Sequence, residues 1–177
     1  MILFQIRVER RVWRSQVEGI AEIITKLYSD FPNLAIILDG WTQKEGGNLP
    51  QENSIVEQEM TLAHEILDRI PTEVTTHLII GQGAREKVVW TEAIDLFVAP
   101  FGANCAIPLW VVNKPGILHS NQYITKETLK RGQDYFYYRI IYYNLRSMVP
   151  PENIVDTIPG GRILTDYDFD GSIIYEE

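Results

Sequence analysis

Arginines follow the first apolar run of this chain, and a glycine-bearing turn follows its fourth. "ILFQIRV" (Ile2 to Val8) carries Arg7 and passes into Glu9, Arg10 and Arg11, while "LFVA" (Leu96 to Ala99) passes into Pro100, Phe101, Gly102, Ala103 and Asn104. A guanidinium presents a rigid fork of donors that grips two oxygens of a phosphate or carboxylate at once. Glycine lets a backbone come close to a ligand. The first amides of a helix opening at such a turn lack internal partners and sit at the positive end of its dipole. Fixed amides for shape and a guanidinium for charge are what a phosphate needs. Plainer readings exist for each piece. Gly102 also permits close packing of helix on strand, Arg10 and Arg11 also suit a solvated surface, and Glu9 can pair with Arg7.

Three other apolar runs end in polar residues of interest. "LAIILDG" delivers Asp39, Gly40 and Trp41; "VTTHLII" delivers Gly81, Gln82 and Gly83; "GILH" delivers His119, Ser120 and Asn121. Trp41 can stack on a flat ring or cap the core, and Asp39 can cap a turn. His119 is a candidate base or a structural histidine. No residue is fixed as catalytic; Arg7 and His119 are the candidates. There is no P-loop, and "GQGARE" lacks the third glycine of a dinucleotide fingerprint. No HExxH, no Ser-His-Asp ordering and no carboxylate cluster at ligand spacing is present, so neither a metal nor a cofactor is expected. The single cysteine, Cys105, reads as core rather than nucleophile.

These residues need elements to hold them at one edge. The first two thirds of the chain alternates strand and helix patterns. Helical stripes run through Val17, Ile20, Ile24 and Leu27 and through Val56, Met60, Ala63 and Leu67. Ser15 with Glu18, and Ser54 with Glu57, have capping-box spacing, so helices are expected from those points, with a loop over Thr42 to Asn53. "AREKVVWTEAID" is expected to be a short helix. Strand-helix alternation with short connections implies parallel strands. The expected fold class is therefore α/β: a Rossmann-like parallel sheet of about five or six strands with helices on both faces. In such sheets ligands bind beyond the carboxyl ends of the strands, where all the residues above lie. One domain is expected over 1–177, with a core over 1–121 and a less regular part over 122–177. Within that part "KETLKR" reads as helix. "YFYYRIIYYNL" suits either a strand or a helix packed over the sheet, and "MVPPENIVDTIPGG" reads as a loop holding one short ordered piece. The closing "DGSIIYEE" reads as the opening turns of a helix.

The 177 residues suffice for one well-cored domain, and 45% hydrophobic content supports a packed interior. A formal charge of −8 argues against nucleic acid or anionic membrane as a general partner. One cysteine excludes an internal disulfide and fits a reducing compartment. The apolar start is followed, not preceded, by positive charge, the reverse of a signal peptide. No apolar stretch is long enough to cross a bilayer, so no transmembrane segment is expected and the expected location is cytoplasmic.

The segment "AIDLFVAPFGANCAIPLWVVNKPGILHSN" resembles the donor-site segment in C-terminal domains of GT-B glycosyltransferases, with the bacterial polysaccharide and heptosyl-type enzymes as the nearest echoes. The matching pieces are Asp95 before a strand, the turn Gly102-Ala103-Asn104, Lys114-Pro115, and the strand Gly116 to His119. The opening "ILFQIRVERRVW" and "FPNLAIILDG" resemble the start of the same domain, so the likeness spans roughly Ile2 to Asn121. It implies a nucleotide sugar as partner, with its diphosphate over the Gly102 turn and Arg7 or Arg11 as countercharge. Asp39, Trp41 or Gln82 would then lie near the base or ribose, and Gly40, Gly81, Ala103 and Asn104 would join the binding surface. It implies metal-independent transfer of a sugar in glycan or polysaccharide synthesis. Two departures stand out. The acidic residue that usually grips the donor ribose is not identifiable, and one domain leaves the acceptor to a separate domain or subunit. The alternatives are a non-catalytic α/β binding or assembly module using "DYFYYRIIYYNL" as its partner surface, and an α/β enzyme acting on a phosphorylated metabolite.

Overall fold

The computed structural model describes residues 1–44, 46–47, 49–131 and 146–176. Six strands form one parallel sheet: β1 (Ile2–Gln5), β2 (Ala35–Asp39), β3 (Thr75–Leu78), β4 (Leu96–Pro100), β5 (Gly116–His119) and β6 (Arg146–Met148). Their spatial order is β3-β2-β1-β4-β5-β6, and every neighbouring pair is parallel. The order reverses between β1 and β4, which is the switch point of a doubly wound Rossmann-like sheet. The α/β class and strand count expected from the pattern are thus the observed ones. The pattern of apolar runs did not single out β6, and the expected strand or helix over "YFYYRIIYYNL" lies outside the described residues.

Strands β1, β2, β4 and β5 are buried on both faces, which is why their runs are continuously apolar rather than alternating, while β3 at the sheet edge is only half-buried. Successive side chains still go to opposite sides. Phe4, Ile36, Val98 and Ile117 join one core, under helices α1 (Gln16–Asp30) and α2 (Pro50–Leu67). Leu3, Ile37, Ala99 and Leu118 join the other, with Cys105 and Leu109. Helix α3 (Ala84–Glu92) packs against the turn that follows β4, and α4 (Gln122–Arg131) follows β5.

Both expected capping boxes are corrected. Helix α2 begins four residues before Ser54, with Pro50 in the first turn and the Glu52 carboxylate accepting from Leu49 N–H at 2.6 Å. Proline at the first helical position sacrifices no hydrogen bond, so it could open the helix and shorten the loop expected over Thr42 to Asn53. Ser15 does precede α1, but its hydroxyl donates to the Asp168 carboxylate instead of capping the helix.

The last third supplies more than an irregular tail. A two-stranded antiparallel ribbon, β7 (Val155–Asp156) with β8 (Tyr167–Asp168), follows a 3-10 turn over Pro151–Asn153, and the chain closes with α5 (Ser172–Glu176). Tyr167 bridges to Trp13 in parallel register, so the end of the chain lies along the segment that follows β1.

Candidate functional site

Arg7 follows β1 by two residues, and its backbone is bracketed by one side chain. Gln16 accepts from Arg7 N–H at 3.1 Å and donates to Arg7 C=O at 2.9 Å. This closes the segment between them into a loop that carries Arg11. Arg11 has φ 54°, a left-handed conformation that costs a residue with a side chain about 1 kcal/mol. From there its guanidinium crosses the switch point and donates to Phe101 C=O at 3.1 Å. Opposite lies Gly102, with φ 144° and ψ −151°, a region essentially restricted to glycine. A methyl group at Gly102 would sit 2.9 Å from Arg11 Nη2. A left-handed arginine and a glycine-only turn therefore face each other over the point where the strand order reverses. The expected pairing of a β1-end arginine with the Gly102 turn is present, and Arg11 makes it.

Burial is the main cause that pulls the Arg7 pKa below its ordinary value, and the neighbouring Arg11 charge is the second. Tyr167, Glu59 and Glu9 oppose the shift without cancelling it. Two guanidiniums close enough to repel define a region that an anion relieves.

The helix expected after Gly102 is not an α-helix. A 3-10 turn, Ala103–Cys105, runs into a π-helical turn, Ile107–Val111. Pro108 has no N–H to give and disturbs the α-ladder, and Val112 N–H reaches back five residues to Ile107 C=O at 3.0 Å. A macrodipole needs aligned turns, so its contribution here is small. Positive potential at this turn comes from the arginines. Cys105 is fully buried, and its thiol donates to Gly102 C=O at 3.0 Å, which helps hold the turn.

Beside the Gly102 turn lies a cavity of about 220 Å3, lined by Gln5, Asp39, Gly40, Trp41, Ala103 and Ile107, among others. The structure thus brings Asp39, Gly40, Trp41 and Ala103 together at the ends of β1, β2 and β4. Asp39 is not free to bind. Its oxygens receive Lys87 Nζ at 2.6 Å, Gly40 N–H at 2.7 Å and Gln5 Nε2 at 3.1 Å. Lys87 is fully buried and also donates to Gly40 C=O and Trp41 C=O, both at 2.8 Å. Glu59 reaches in from α2 and accepts from Trp41 N–H at 2.5 Å. Its carboxylate occupies the space a side chain at Gly40 would fill. Burial raises the Glu59 pKa to about 7, against the opposing pull of the Trp41 N–H and Lys87.

The remaining candidates lie further out. Gly81 N–H donates to Trp41 C=O at 2.8 Å and Gln82 C=O accepts from Gln43 N–H at 3.0 Å, so both brace the loop after β2. Asn104 lies within the 3-10 turn. His119 is 3% exposed, and its Nδ1 shares a hydrogen bond of 2.7 Å with Tyr167 Oη. Trp13 and Phe169 pack against its ring. Burial and the Arg7 charge lower its pKa to about 3, so it stays neutral and enclosed, without a surface from which to take a substrate proton.

Gln16, Glu59, Lys87, Asp166 and Tyr167 were not legible as site residues. Lys87 had the clearest signal: an aspartate ending a fully apolar strand needs a cation, and Lys87 falls on one face of α3 with Thr91. Among the described residues, no group of three or more His, Cys, Asp or Glu side chains is placed to hold a metal ion. No described helix is long and apolar enough to cross a membrane. No family model, curated protein or solved structure matches this chain.

Proposed function

We propose that this chain binds the diphosphate of a nucleotide-activated sugar at the switch point between β1 and β4, and acts as the donor-binding half of a glycosyltransferase. One observation carries the reading: Arg11, on a left-handed backbone, lays its guanidinium on the Gly102 turn at that point. Arg7 adds a second positive charge, and the adjoining cavity of about 220 Å3 gives space for one ring of the ligand. The sugar-nucleotide identity of the ligand rests on the resemblance of the Asp95 to His119 segment to donor-site sequences.

The chemistry follows from charge. As the glycosidic bond to the diphosphate breaks, negative charge grows on the leaving oxygen. Donors already fixed around it stabilise that charge without reorganising. Arg7 and Arg11 fill this role. His119 is enclosed and does not serve as the base; the resemblance assigns the acceptor, and the base that activates it, to a separate domain or subunit.

A thermal-shift titration against UDP, GDP, ADP and CDP tests the reading. At about a hundredfold excess over Kd, the matching nucleotide stabilises the fold by about 2.7 kcal/mol. Arg11→Gln and Gly102→Val should each abolish the shift. Silence for all four nucleotides, with the chain folded, overturns the proposal.

A further inference from the structure

The loop that presents Arg11 is held by a segment more than 150 positions away in sequence. Asp166 accepts from Val12 N–H at 2.9 Å through one carboxylate oxygen and from Arg14 Nη2 at 2.6 Å through the other. Tyr167 N–H then donates to Val12 C=O at 3.0 Å, and Tyr167 C=O accepts from Arg14 N–H at 2.9 Å. Asp168 accepts from Ser15 N–H at 3.2 Å, and Phe169 C=O from Trp13 Nε1 at 3.1 Å. Residues 166–169 therefore lie along 12–15 as an extra pairing.

The parts of this strap do different work. Tyr167 and Phe169 are buried, and Phe169 stacks on Trp13 with ring centroids 4.3 Å apart. Those contacts join the two segments whatever occupies position 166. Asp166 is the member whose side chain grips the amide immediately after Arg11. A non-glycine residue remains left-handed only when its surroundings over-determine it. Gln16 fixes one end of the loop at Arg7; the Asp166 carboxylate fixes the peptide on the other side of Arg11.

Resting on the diphosphate reading above, we infer that Asp166 is a positioning residue that acts through Arg11: by holding Val12 N–H it sets the left-handed turn that aims the Arg11 guanidinium at Gly102. The site for the anion is thus assembled from the first and last portions of the described chain. Asp166 itself, being acidic, touches no anion.

Calorimetric titration of the full chain with inorganic pyrophosphate tests this. Asp166→Ala should weaken pyrophosphate by about tenfold or more, because a guanidinium displaced from its partner loses most of a charged hydrogen bond. Asp166→Asn keeps an oxygen for Val12 N–H and should stay within about threefold of the unmodified chain. In an Arg11→Gln background, Asp166→Ala should have no further effect, since a residue acting through another has nothing left to act on. Ile36→Val, a core truncation that also lowers the melting temperature, should leave affinity unchanged. If Asp166→Ala binds pyrophosphate normally while Arg11→Gln does not, the inference falls and the diphosphate reading stands. A loss that adds fully to that of Arg11→Gln also overturns it. If the unmodified chain ignores pyrophosphate, the reading falls and takes the inference with it. Should Asp166→Ala not fold, hydrogen exchange on the unmodified chain decides. Saturating pyrophosphate should slow exchange at Val12 more than in β2, because the coupling is reciprocal; equal exchange at Val12 with and without pyrophosphate overturns the inference.

Discussion

The carboxyl ends of β2 and β1 are neighbours, yet they handle charge in opposite ways. Beyond β2, Lys87, Asp39, Gln5 and Glu59 form a buried knot in which the lysine meets a carboxylate and two carbonyls, and Asp39 meets a cation and two further donors. Beyond β1, two arginines repel each other, and one of them, itself on a left-handed backbone, rests on the Gly102 turn. A matched knot stabilises a loop and has little left to offer a ligand. A like-charged pair gains when an anion arrives. The contrast sets a charge matched within the fold against the pair assigned above to the proposed anion site, and each variant below tests one side of it.

The largest effect belongs to the matched side. Lys87→Met leaves Asp39 without its cation and removes the donor shared by Gly40 C=O and Trp41 C=O. Breaking one half of a buried pair typically costs about 3–5 kcal/mol. Urea unfolding of this variant should show a loss of that size, and adding Asp39→Asn should recover part of it. A loss near zero would mean that the knot is not what holds the loop after β2.

Glu59 gives the next effect, and its sign is set by burial. Its pKa is raised from 4.5 to about 7 in the folded chain. Between those values the folded state binds a proton that the unfolded state has released, so stability falls as pH rises through this window. The full loss, present above about pH 7, is on the order of 3 kcal/mol for this shift. The groups that face Glu59 are Lys87, Asp39 and Arg7, together with Trp41 N–H. His119 slopes the other way. Its pKa is lowered from 6.5 to about 3, so its contribution is lost as pH falls through that range. The two oppose each other from about pH 4.5 to 6.5. Glu59→Gln keeps an acceptor for Trp41 N–H, so it should raise stability at pH 8 by about 1–3 kcal/mol. Below pH 6.5 it should leave the acid-side loss due to His119. Denaturation midpoints from pH 4 to 8 check this, and an unchanged value at pH 8 refutes it.

Much of this arrangement is legible in the sequence. Uninterrupted runs such as "LAIILDG" and "LFVA" announced buried parallel strands, and their polar ends placed Arg11, Asp39 and Gly102 on one edge. What sequence could not supply was partner choice across long separations. Asp39 looks like a free carboxylate in its own segment, and only the fold brings Lys87 against it, 48 positions later. Asp166 sits in an irregular stretch whose spacing signals neither helix nor long strand, so its grip on Val12 had no local trace. The turn after Gly102 misled for a different reason. "ANCAIPLWV" is apolar enough for a helix, but Pro108 diverts the hydrogen-bond ladder into short 3-10 and π turns.

On the like-charged side, Gly102→Ala should cost about 1–3 kcal/mol, the range for forcing a side chain into a glycine-only conformation. The steric part is small, because the nearest atom is the far end of Arg11, which can swing aside. That swing should itself weaken pyrophosphate. A stable Gly102→Ala chain with normal pyrophosphate affinity would show that neither the strain nor the approach of Arg11 matters.

Arg11→Gln should change stability least of all, and that small value sharpens the contrast most. The substitution gives up one hydrogen bond to Phe101 C=O. It also removes the charge that, after burial, depresses Arg7, and it keeps the left-handed backbone under the same restraints. The lost hydrogen bond is worth about 1 kcal/mol, and the relief of Arg7 acts in the opposite direction, so the net change should be small. Ligand binding should not be spared, since the guanidinium opposite Gly102 is gone. An unfolding free energy within about 1 kcal/mol of the unmodified chain, paired with lost pyrophosphate binding, is the mark of a charge kept for a ligand. A stability loss as large as that of Lys87→Met would instead make Arg11 another strut, and the two ends of the sheet would no longer differ.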